Sequence, residues 1–111
     1  MIPGELTLLT HYPARHLIKK DVMGGVQLIY DFPNGYGASV VRHDFSYGSK
    51  EGLFELAVLN KGTITYETSV ADNVIGWMSV SDVLETLDKI KELPKSKKLK
   101  KSSKIKKSEE K

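Results

Sequence analysis

The chain has 111 residues and no Cys, a length that limits it to one domain and a composition that excludes both a disulfide framework and a thiolate zinc site. Its formal charge of +3 is unevenly spread: residues 1–94 carry 8 Lys and Arg against 12 Asp and Glu, net −4, and residues 95–111 carry 9 Lys against 2 Glu, net +7. No stretch approaches the ~20 apolar residues of a membrane span, and the N-terminus lacks the basic start and apolar run of a signal peptide, so the expectation is a cytoplasmic protein with no membrane span.

Read in chain order, Glu5 to Thr10 (ELTLLT) suggests a short strand, Pro13 opens a helix through Val22, and Met23-Gly24-Gly25 reads as a break. This N-terminal segment, residues 1–25, packs on or precedes an α+β core domain over residues 26–94. Val26 to Phe32 (VQLIYDF) is rich in β-branched and aromatic residues, and Tyr36 to Asp44 again favours extended chain. Between them Pro33 presets its φ, and Gly35 accepts the positive φ that closes a type I turn with a bulge, which predicts a hairpin. Asn60-Lys61-Gly62 repeats that logic between Leu53 to Leu59 and Thr63 to Thr68.

Two hairpins predict a four-stranded antiparallel sheet. Alternation places Val26, Leu28, Tyr30 and Phe32 on one face with Phe54, Leu56 and Val58, and with Ile64 and Tyr66. The small residues Gly37, Ala38 and Ser39 leave room for another element to approach. The segment from Ser69 to Met78 links sheet to helix, with Trp77 assigned to the core. Ser79 is then a helix N-cap, and Val80, Val83, Leu84, Leu87 and Ile90 repeat at helical spacing until Pro94 ends the run. The predicted architecture is therefore the sheet covered on one face by a C-terminal amphipathic helix.

Beyond it, KSKKLKKSSKIKKSEEK is too poor in apolar residues to offset its ordering entropy, which predicts a disordered basic tail. Lys95, Lys97, Lys98, Lys100, Lys101, Lys104, Lys106 and Lys107 are its candidate nucleic-acid contacts, and full neutralisation of its charge on a duplex implies a log–log salt slope of roughly −6. A merely solubilising tail reads equally well, since it holds no aromatic residue for base stacking.

Catalytic arrangements are not evident. His11 and His16 miss the i, i+4 spacing of a helical metal pair, and neighbouring His43 and Asp44 on a strand point to opposite faces. Asn34-Gly35-Tyr36-Gly37 leads into a strand instead of the helix that a phosphate loop needs. Neither an enzymatic activity, nor a cofactor, nor a metal is expected. The candidate recognition surface is the loop between the hairpins, residues 45–52, where Phe45, Tyr47 and Lys50 join Arg42 and the Tyr36 corner as candidate protein-binding residues. Folding back of Phe45 and Tyr47 to plug the sheet end is the competing reading.

The run from Phe32 to Arg42 (FPNGYGASVVR), then Glu55 to Leu59 (ELAVL), then Asp72 to Trp77 (DNVIGW) resembles small uncharacterised proteins of tailed bacteriophages and prophages. Asn73 stands where the pattern usually has a second Asp. The resemblance implies a small accessory protein in the host cytoplasm that binds a host or phage protein, and it carries no catalytic residue. The expected function is thus a non-enzymatic protein-binding module; the alternative is a nucleic-acid-associated protein binding DNA or RNA non-specifically through its tail.

Overall fold

The computed structural model describes residues 4–13 and 16–95. It is an α+β domain with the elements α1 (Glu5–Thr10), β1 (Leu17–Val22), β2 (Gly25–Asp31), β3 (Tyr36–Arg42), β4 (Phe54–Asn60), β5 (Thr63–Ile64), β6 (Ile75–Met78) and α2 (Val80–Lys91). The sheet is antiparallel and six-stranded, ordered β1-β2-β3-β4-β5, with β6 pairing the same edge of β4 as β5. The expected tail from Lys97 through Lys107 lies outside the described residues; Lys95 is described and exposed.

The predicted alternation holds where one face is covered. Val26, Leu28, Tyr30, Phe32, Phe54, Leu56 and Val58 are all buried, together with Ala38, Val40 and Met78. Against them α2 packs Val83, Leu87 and Ile90, the i, i+4, i+7 stripe of an amphipathic helix. Ser79 caps this helix: its hydroxyl accepts from the Asp82 N–H, and the Asp82 carboxylate accepts from the Ser79 N–H, each at 3.1 Å. That reciprocal pair satisfies two of the donors left open by the first turn.

Three expectations need correction. Glu5–Thr10 is a helix, not a strand, because burial of Leu8 and a hydrogen bond from the Tyr30 hydroxyl to the Leu8 carbonyl (2.9 Å) fix it on the sheet. Residues 17–22 form a strand in place of the predicted helix, hairpin-paired to β2 through Met23 and Gly24, whose φ values of 40° and 82° define a two-residue turn with both φ positive. The N-terminal segment is therefore part of the sheet; β1 adds a fifth strand to the four predicted, and β6, within the segment expected only to link sheet to helix, adds a sixth. Last, Ile64 and Tyr66 are half exposed, since β5 ends after two residues. The 60–63 connection is likewise a two-residue turn, with Lys61 and Gly62 both at positive φ.

The turn at Pro33-Asn34-Gly35 forms as expected, with the Gly35 N–H donating to the Phe32 carbonyl and Gly35 at φ 92°. Its side chain does more than turn the chain. The Asn34 amide donates to the carbonyls of Ile90, Lys91 and Leu93 at 2.9, 3.1 and 3.0 Å, and its oxygen accepts from the Tyr36 N–H at 2.9 Å. Asn34→Ala should destabilise the domain by ~1–3 kcal/mol, the cost of losing the donor to these partly buried carbonyls, seen as a lowered urea midpoint. Asn34→Asp keeps the acceptor but sets a negative charge on the negative end of α2, and should be at least as damaging.

Burial holds the Tyr30 hydroxyl well above the usual tyrosine range, and burial followed by a hydrogen bond to Asp88 does the same for Tyr12. The folded state thus keeps protons that the unfolded chain releases above its ordinary tyrosine pKa of ~10. Stability is complete below that pH and falls as pH rises through it. Urea titrations across the alkaline range should show this decline, starting lower and falling more gently in Tyr30→Phe.

Candidate functional site

At one end of the sheet converge the β1–β2 turn, the loop from β3 to β4 and the last residues of β6. The loop is built from the inside outward. Ser46 is buried at its centre, its hydroxyl donating to the His43 carbonyl and accepting from the His43 N–H, both at 3.0 Å. The Phe45 N–H donates to His43 Nδ1 at 3.1 Å, and the Tyr47 N–H to Glu55 Oε1 at 3.2 Å. Gly48, at φ 85°, accepts from Leu53 and Glu51 across the short 3-10 turn Ser49–Glu51.

With Ser46 held inward, its neighbours are left outside. Phe45 is 78% exposed and Tyr47 66%, so neither plugs the sheet end. The loop is fixed by its own hydrogen bonds, and the aromatic rings are surface that those bonds hold in place.

A third aromatic joins them from β6. The β4–β6 ladder runs from Phe54↔Met78 to Leu56↔Ile75, one residue more on β6 than on β4, and this bulge places Trp77 at φ 58°. A bulky residue in the left-handed region costs about 1–2 kcal/mol. Trp77, expected in the core, is instead 59% exposed. It interlocks with the loop through two glycines: a Cβ on Gly48 would lie 3.2 Å from Trp77 Cα, and one on Gly76 would lie 2.9 Å from Tyr47 Cβ. Met23, also exposed, borders the same end, its carbonyl accepting from the Asp44 N–H at 3.0 Å.

Of the residues singled out in the sequence, Arg42, Phe45, Tyr47 and Lys50 are brought together here. Tyr36 is not: it lies half-buried at the opposite end of β3, ~20 Å away along the strand. The Arg42 guanidinium is 6.0 Å from the Phe54 ring centroid, within cation–π range. Trp77 and Met23 were missed; the one available signal was Gly76 before Trp77, a glycine in a short strand marking a bulge.

Among the described residues no cluster of three or more His, Asp and Glu could hold a metal, and no helix is long and apolar enough to cross a membrane. No family model, curated protein or solved structure matches the chain.

The strain at Trp77 predicts that Trp77→Asn, which suits the left-handed region and removes the indole, leaves thermal stability equal to or above that of the parent. A large loss of Tm would show that the indole serves packing.

Proposed function

We propose that this chain is a non-enzymatic protein-binding module, a small phage-type accessory protein of the bacterial cytoplasm that captures a host or phage protein through the aromatic end of its sheet. One observation carries the reading: Phe45, Tyr47 and Trp77 stand exposed on a hydrogen-bonded loop and a bulge, one of them in a strained conformation. Large aromatic surface left in water on a fixed backbone is what interface centres are built from, because little ordering entropy remains to be lost on binding. The polar rim of His43, Asp44, Lys50 and Glu55 matches the anatomy of such a patch. The resemblance to phage proteins supplies the setting.

A second reading follows from the charge of residues 95–111, net +7, which would supply non-specific nucleic-acid affinity. The two separate cleanly. Phe45→Ala with Tyr47→Ala should abolish retention of a specific protein from host lysate while leaving the thermal midpoint within a few degrees, since both side chains are mostly in solvent. Deleting residues 95–111 should leave that retention intact and remove any duplex binding with its salt dependence. Capture lost with the tail and kept without the aromatics would reverse the assignment.

A further inference from the structure

Beside the aromatic residues lies a cavity of about 340 Å³ lined by Gly24, Arg42, Asp44, Ser49 and Lys50. Two of its lining residues, Gly24 and Asp44, are the chain neighbours of exposed Met23 and Phe45. Nη1 of Arg42 is a buried donor with no hydrogen-bond partner among the described residues, and neither Arg42 nor Lys50 forms an ion pair there. The guanidinium is nonetheless held in place, over the Phe54 ring at 6.0 Å and beside Gly52, where a Cβ would meet Nη2 at 3.7 Å. A buried, charged N–H without an acceptor is rare in folded proteins and marks a donor awaiting one.

We propose that this cavity is the acceptor for one carboxylate of the partner protein, bound by the Arg42 guanidinium with Lys50 and the Ser49 hydroxyl, next to an apolar side chain seated on Tyr47 and Trp77. The proposal rests on the protein-binding reading above. Two cations against the Asp44 carboxylate leave one net positive charge, the complement of a single carboxylate. A dianionic phosphate would meet Asp44 as well, and would be overcharged for the site. The planar guanidinium fits a carboxylate in geometry, and its anchored position means that little ordering is needed on binding.

The test is selection from a random twelve-residue peptide library on the full chain. Selected peptides should combine Asp or Glu with a neighbouring aromatic or aliphatic residue. Replacing that carboxylate by its amide should weaken binding about tenfold to hundredfold, and the difference should vanish on Arg42→Gln and shrink on Lys50→Gln. Lys50 lies on an exposed turn, so its variant remains informative even if loss of Arg42 from Phe54 unfolds the domain. Peptides that need Tyr47 and Trp77 but show no acidic preference, or an undiminished amide effect in both variants, would overturn the carboxylate site and leave the protein-binding reading standing. An absence of selectable peptides, or aromatic-dependent binding of a single-stranded oligonucleotide instead, would overturn both.

Discussion

The fold depends on one carboxamide. Helix α2 ends without a glycine, its C-cap residue Glu92 being followed by Leu93 and Pro94, so the carbonyls of its last turn lack the usual left-handed closure. Asn34 provides a closure from the central hairpin turn, donating to two of those carbonyls, Ile90 and Lys91, and to that of Leu93 just beyond the helix, and accepting from Tyr36. The central hairpin turn and the helix end are thereby a single hydrogen-bonded unit. That contact sets where the helix stripe of Val83, Leu87 and Ile90 meets β3 and β4. With the helix terminus bound at one end of the sheet and the Ser79 cap at the other, the opposite rim is left to the loop and the bulge.

What could be read from the residues followed the covered surface. In β2 one face is packed and the other is not, and in β4 the core face carries the larger side chains although Ala57 and Leu59 opposite are also buried, so period-two alternation marked Val26, Leu28, Tyr30, Phe54, Leu56 and Val58 correctly. The α2 stripe was legible for the same reason. β1 carries a weaker mark: in LIKKDV the residues opposite buried Tyr30, Leu28 and Val26 are Leu17, Lys19 and Asp21, of which only Leu17 is apolar, and Lys19 pairs with buried Glu5 at 2.6 Å. Its strand character comes from the ladder and from Met23, an unusual residue for a turn that needs positive φ. Glu5–Thr10 has apolar spacing that fits strand or helix, and only tertiary contacts at Leu8 decided between them.

The aromatic end of the sheet was legible in part. Phe45 and Tyr47 stood out because aromatics in a glycine-containing loop have little to pack on, and Ser46 explains why they face outward. Tyr36 was drawn in by nearness in sequence, which a straight strand turns into distance. Trp77 was hidden by the general rule that large apolar residues go inside, which the added residue of a bulge overrides. At the lateral margin, β1 is an open sheet edge whose exposed Lys19, Lys20 and Asp21 discourage pairing with other strands.

The bulge has a spectroscopic consequence. The chain contains one Trp, and that indole is largely in water in the folded state. Its emission is consequently a weak monitor of whether the core is intact and a sensitive one of whether the rim is occupied, since an arriving surface removes solvent from the sole strong fluorophore. The single indole thus reports on the proposed contact surface rather than on the core.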